Sequence, residues 1–137
     1  MNEELQAILC SRYPKLLPAQ GERCFQLFGI ECQDGWFALI YAACELIQKY
    51  TDRTGSGQVI AVQVKEKLGG LRFYCRGGDD YVLSVVELVE GLSESICELC
   101  GARGSILGSN GGLGARCPLL WLNDSGHPDR ALSFAQQ

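Results

Sequence analysis

Ile60-Ala61-Val62-Gln63-Val64-Lys65-Glu66-Lys67-Leu68-Gly69-Gly70-Leu71-Arg72-Phe73-Tyr74-Cys75-Arg76 alternates apolar and polar side chains on either side of a Gly-Gly pair. Period-two alternation marks half-buried strands, and adjacent glycines supply the positive φ angles of a two-residue turn. The stretch predicts an antiparallel hairpin turning at Gly69-Gly70. Leu68 then faces Leu71, Lys67 faces Arg72, Lys65 faces Tyr74 and Gln63 faces Arg76. One face carries Val62, Val64, Leu68, Leu71, Phe73 and Cys75, and the other carries Gln63, Lys65, Lys67, Arg72, Tyr74 and Arg76. A one-residue slip would mix the two sets, so the pattern specifies the faces. Glu66 is the exception, a charge on the apolar face.

Helical patterns flank this hairpin. Trp36, Leu39, Ile40, Ala43, Cys44 and Ile47 recur at steps of three and four, which predicts a helix ending near Tyr50, with Asp34 as its cap and Trp36 in the core. Residues 51–57 read as a loop. After Gly77-Gly78, Asp79 or Asp80 caps a second helix whose stripe is Val82, Val85, Val86, Val89, Leu92 and Ile96. A short helix over residues 2–11 places Leu5, Ile8 and Leu9 on one face. Residues 21–34 show no clean period, and the glycine-rich segment 101–116 reads as a loose hairpin or loop. The expectation is an α+β fold with two main helices packed on a short antiparallel β-hairpin, followed by a degenerate zinc-ribbon-like C-terminal segment. All 137 residues form one domain, with 97–122 as the ribbon-like appendage and 123–137 as a polar, mobile tail.

Hydrophobic residues make up 47% of the chain and charged residues 20%, enough for a core that does not depend on metal or disulfides. No apolar run is long enough to span a bilayer, and the acidic start, Met1-Asn2-Glu3-Glu4, is unlike a secretory signal. A cytoplasmic protein is expected, with free thiols at its eight cysteines. Cys10, Cys44 and Cys75 sit in apolar patterns, as small buried hydrophobes do, whereas Cys24 and Cys32 lie in irregular segments. The net charge of −4 and a pI of about 5.0 argue against a generic nucleic-acid binder and suit a partner with a basic surface.

Cys97-Glu98-Leu99-Cys100-Gly101 is half of a zinc site. Two cysteines two residues apart, followed by glycine, form a knuckle that aims both thiolates at one ion. Cys117 follows at zinc-ribbon spacing, but Leu120 stands where the fourth ligand belongs. His127, the one histidine of the chain, is the remaining internal donor. The cofactor is therefore either absent or a single structural zinc on Cys97, Cys100 and Cys117, with His127 or an outside ligand as the fourth.

Three strings resemble a widespread group of small bacterial and prophage proteins. Val64 to Tyr74 is similar to that group's VKEKFGGLRFY hairpin. Phe28-Gly29-Ile30-Glu31-Cys32-Gln33-Asp34-Gly35-Trp36 is similar to FGFECGDGW, and Cys97-Glu98-Leu99-Cys100-Gly101 to a CEVCG knuckle. In that group the last cysteine opens a C-x-x-C or C-x-x-H pair. Arg116-Cys117 matches its start and Leu120 departs from its end. Members look like cargo of prophages and toxin loci, so the resemblance implies an immunity or antitoxin role.

No Ser/His/Asp or Cys/His arrangement is visible, and the glycines near 110 form no phosphate loop, so no enzyme activity is expected. The first expectation is a binding protein that occludes the active site of a cognate bacterial toxin, one to one. Its acidic Glu31, Asp34, Asp79 and Asp80 would enter a basic cleft. Asp34 and Asp79 also sit where helix caps belong. Trp121, in Pro118-Leu119-Leu120-Trp121-Leu122, either closes the core or offers an exposed anchor for the partner. The second expectation is a nucleic-acid module using Lys65, Lys67, Arg72, Tyr74 and Arg76 on the polar hairpin face together with the knuckle. On an acidic chain, that face reads more readily as a solvated sheet surface or one salt-bridged to neighbouring acids.

Overall fold

The computed structural model describes residues 1–18, 29–109 and 112–120. Trp121, His127, Cys24 and the 123–137 tail lie outside these described residues. The elements run α1 (Glu3–Arg12), β1 (Ile30–Glu31), a 3-10 turn (Asp34–Trp36), α2 (Phe37–Thr54), β2 (Ile60–Lys67), β3 (Gly70–Arg76), α3 (Asp80–Ser93), β4 (Ser105–Ser109) and β5 (Gly112–Arg116). The fold is mixed helix and sheet, with a cysteine cluster near the end of the chain. It differs from two helices on a hairpin in one main respect. β1 pairs parallel to β2, Ile30 with Val64 and Glu31 with Lys65, which makes the sheet three-stranded in the order β1-β2-β3. A two-residue strand is too short to show any period in sequence.

The hairpin forms, but its turn lies one residue earlier than the Gly-Gly pair suggests. Lys67 pairs with Gly70, Glu66 with Leu71, Lys65 with Arg72 and Gln63 with Tyr74. The turn residues are Leu68 and Gly69, at φ 54° and 85°. Moving the turn by one residue slides each partner by two, so the two faces survive and only the pairs change. Leu68 leaves the apolar face and is exposed. Glu66 explains why: its half-buried carboxylate accepts the Gly69 N–H at 2.7 Å and closes the turn. A bulge between Ala61 and Gln63 swings Val62 outward to 43% exposure and buries Ala61 in its place.

α2 runs past Tyr50 to Thr54, because the first residue able to end it is Gly55, left-handed at φ 64° with its N–H on the Thr51 carbonyl. The predicted loop over 51–57 is thus partly helix. Asp34 does not cap this helix; its carboxylate accepts from the Asn2 backbone and side-chain nitrogens at 2.7 and 2.8 Å, tying the 3-10 turn to the start of α1. Asp79 does cap α3, accepting from the Tyr81 and Val82 N–H groups. In α1, Leu9 is buried but Ile8 is exposed.

On α3 the buried stripe is Val82, Val85, Val89 and Ser93, while Leu92 is 44% exposed. The swap of serine for leucine has a physical reason. β3 is an edge strand whose outward amides need acceptors, and α3 provides them. Ser93 Oγ takes the Leu71 N–H and the Glu90 carboxylate takes the Phe73 N–H, both at 2.8 Å.

α2 and α3 pack against each other, and Tyr50 stacks on Tyr81 with ring centroids 4.2 Å apart. Trp36, Phe73, Leu9, Leu16, Leu17, Ile40, Ile47, Leu71, Val59 and Val64 are fully buried. Each is worth about 1.5–3 kcal/mol on burial, more for the aromatics. β4 and β5 pair antiparallel, from Ser105 with Arg116 to Ser109 with Gly112, so the described residues of this expected loose segment form a two-stranded ribbon. From that ribbon only Ala115 joins the core cluster, so its own apolar support is slight.

Leu68→Asn should stabilise the protein by about 1 kcal/mol, because asparagine tolerates the left-handed turn position and the exposed leucine loses little burial. A higher urea midpoint at unchanged slope is the expected reading.

Candidate metal centre

The Cys97, Cys100 and Cys117 sulfurs lie within 4.8 Å of one another, and Cys100 Sγ is 3.6 Å from Cys117 Sγ. An ion bound tetrahedrally at the usual Zn–S distance separates its sulfurs by about 3.8 Å. The three thiols are therefore close enough to hold a metal ion.

Local backbone builds the knuckle. Gly101, left-handed at φ 76°, returns its N–H to the Cys97 carbonyl at 2.9 Å, and the Cys97 N–H reaches the Ala102 carbonyl at 2.7 Å. Cys117 follows β5 directly. β5 is fastened to the knuckle by the Glu98 N–H on the Ala115 carbonyl at 2.9 Å.

The knuckle also sits on the main fold through Gly35. The Gly35 N–H donates to the Glu98 carbonyl at 2.7 Å. A Cβ at Gly35 would lie 2.3 Å from the Cys97 carbonyl oxygen and 2.5 Å from the Gly101 nitrogen, so only glycine fits. Next to it, the Trp36 indole N–H donates to the Ile96 carbonyl at 2.8 Å. Glu98, only 5% exposed, completes the joint. Its carboxylate accepts the Gln33 N–H at 3.0 Å and pairs with Arg116 at 3.1 Å. Gln33, Gly35 and Trp36 all belong to the segment preceding α2, so two distant strings of the sequence meet in one joint.

The electrostatics favour a thiolate at Cys97. Burial pushes its pKa up, but the N–H groups of Cys100, Cys117 and Leu99 outweigh burial and hold it below the ordinary thiol value. Cys100 moves the other way. The Ala102 N–H favours its thiolate, but desolvation, hydrogen bonds with Cys117 and Cys97 and the charge on Cys97 raise it. The amides thus ease the loss of a proton at Cys97, whereas Cys100 gives up its proton less readily. Cys32, Cys44 and Cys75 differ in kind. Burial pushes Cys32 and Cys75 up to about 12 and raises Cys44 as well, so these behave as inert core groups.

The structure does not gather Glu31, Asp34, Asp79 and Asp80 into one patch. Glu31 lies on β1, where its carboxylate accepts from the Gln63 side chain at 2.9 Å, and Asp34 is held by Asn2. Asp79 and Asp80 stand together at the start of α3, where Asp79 also takes the Tyr50 hydroxyl. That hydroxyl, opposed by burial and helped by the Val82 and Tyr81 amides, holds the Asp79 carboxyl below its usual range.

On the polar sheet face, Lys65 stands opposite Arg72 with its ammonium 5.9 Å from the Tyr74 ring centre. Lys67 and Arg76 sit at opposite ends of the hairpin. Glu31 is in register with Lys65, which places an acid among the cations. Gly35, Glu98 and Arg116 are the residues of the centre that motif reading leaves without a role. A charged residue between the two knuckle cysteines was the visible signal.

No family model, curated protein or solved structure matches this chain.

Gly35→Ala should destabilise the protein by about 1–3 kcal/mol through overpacking against backbone. It should also speed modification of the buried Cys97 thiol by a thiol-titrating reagent. The depressed Asp79 pKa sets a pH test. A carboxyl whose folded pKa lies below its unfolded value stabilises above the unfolded pKa, and that contribution is lost as pH falls through the folded one. Asp79→Asn should therefore weaken the protein at neutral pH, and the difference from wild type should close below about pH 4, as read by urea unfolding across pH.

Proposed function

We propose that this protein is a non-catalytic binding module of the immunity kind, which holds a cognate bacterial toxin one to one and blocks its basic substrate cleft. The observation that carries this reading is the character of α3 and its flanks. From residue 77 to residue 102 there is no Lys or Arg, while Asp79, Asp80, Glu87, Glu90, Glu94 and Glu98 all fall there. The same helix leaves Leu83, Leu88 and Leu92 exposed at 55, 57 and 44%. Exposed apolar anchors within a field of one sign are what a partner of opposite charge recognises. The resemblance of the three sequence strings to prophage and toxin-locus proteins supports the same role.

In this reading the metal is one structural zinc. Cys97, Cys100 and Cys117 hold it, and His127 or an outside ligand completes the set. Its chemistry is that of a staple, fixing a ribbon with little apolar core of its own to the main fold.

Four measurements test the proposal. The purified chain should contain about one zinc per molecule, which Cys97→Ser removes. A chelator should lower the melting temperature by about 4 °C for each kcal/mol withdrawn while the main helices stay folded. Co-expression with the product of the adjacent gene should give an equimolar complex in which that product's activity is suppressed. An activity unaffected by excess protein would overturn the immunity reading. Heparin retention that falls steeply with salt and is lost in Lys65→Ala/Arg72→Ala would replace it with nucleic-acid binding.

A further inference from the structure

A groove of about 560 Å³ runs between β3 and α3. Its origin is the way α3 seals the strand edge. Ser93 and Glu90 cover the Leu71 and Phe73 amides, and beyond them the chain turns away through Gly77 and Gly78, both at positive φ, before α3 begins. Phe73, Val82 and Val86 form an apolar floor, the first two only 2 and 3% exposed. Asp79, Asp80, Glu87 and Glu90 form the rim, and no Lys or Arg lines the groove. Asp79 is occupied by the α3 amides and Tyr50, and Glu90 by Phe73. Asp80 and Glu87 are exposed, and their carboxylates have no ion pair or hydrogen bond among the described residues.

We infer that this groove receives an arginine side chain from a basic segment of the partner protein. The inference rests on the binding reading above and names the place and the chemistry of contact. An apolar floor under a carboxylate rim matches the two halves of arginine: the aliphatic stem lies on Phe73, Val82 and Val86, and the guanidinium reaches Asp80 and Glu87. A small anion is repelled by the rim, and a purely apolar side chain leaves the four carboxylates without a counter-charge. Neither occupant uses both parts of the site.

The test is amide chemical-shift mapping of the full chain, titrated with a capped peptide of about ten residues alternating arginine and leucine. The same length alternating glutamate and leucine serves as the control. Shifts should centre on Phe73, Gly77, Val82 and Val86 for the arginine peptide alone. Asp80→Lys/Glu87→Lys should weaken binding at least about tenfold, and the gentler Glu87→Gln about threefold. Glu3→Lys/Glu4→Lys, the same charge change on exposed α1, should leave binding within about twofold. Circular dichroism checks the fold of each variant, and Glu87→Gln keeps the test decisive if the double reversal unfolds. Unchanged affinity in Glu87→Gln and the double variant, equal loss in the α1 variant, or shifts confined to another face would overturn the groove while leaving a basic partner intact. No binding of the arginine peptide, or preference for the glutamate peptide, would overturn the groove and the basic-partner reading together.

Discussion

The cysteine knuckle and the β4–β5 ribbon depend on one close approach of backbone to backbone, where Gly35 meets the knuckle. The Cys97 carbonyl, the Gly101 amide and the Glu98 carbonyl all stand where a side chain at residue 35 would have to be. Because that space is empty, the Gly35 N–H can donate to the Glu98 carbonyl and the Trp36 indole to Ile96. The knuckle is thereby held by the core helix, and the ribbon by the knuckle. A ribbon with one core residue cannot hold its own position by apolar burial, so hydrogen bonds and the buried Glu98–Arg116 pair do it instead. Breaking such a pair by removing one partner leaves a buried charge unmatched, which is why both residues are tied to this geometry.

The thiol cluster is built as a scaffold. Amides of the knuckle converge on Cys97, β5 brings Cys117 alongside, and the carboxylate of Glu98 is engaged by Gln33 and Arg116. Such an arrangement sets three soft donors close enough together to hold a metal ion. Burial opposes ionisation at Cys32, Cys44 and Cys75. At Cys97 the amides of Cys100, Cys117 and Leu99 outweigh burial.

The edge of β3 is protected by an unusual division of labour on α3. One face of the helix packs valines against the core, and its flank lends Ser93 and Glu90 to the strand's outward amides. A helix that seals an edge in this way cannot also pack tightly along the whole strand. The groove beside Phe73 and the exposed acids beyond it follow from that geometry. Glu90 joins the two features, since it accepts the Phe73 amide at the strand edge and also lines the groove.

Composition and periodicity were enough to define the apolar faces of α2, α3 and the hairpin, the Asp79 cap and the three cysteines of the knuckle, because each is a local pattern read over a few residues. The faces of the hairpin were legible even though its turn was not, since a two-residue slide preserves face and a Gly-Gly pair does not say which of its members turns. Glu66 decided that, by reaching the Gly69 amide from across the turn. The strand at Ile30–Glu31 was invisible because two residues carry no period, and its pairing with β2 exists only once the chain has returned from α2. Ser93 in place of Leu92 on the buried stripe, and Gly35 beneath the cysteines, were set by partners 22 and more than 60 residues away. Local sequence selects the faces and caps of the elements. Which polar groups must be buried between them is decided by the tertiary structure, because only there do unpaired amides, carbonyls and carboxylates from distant segments come within hydrogen-bonding reach.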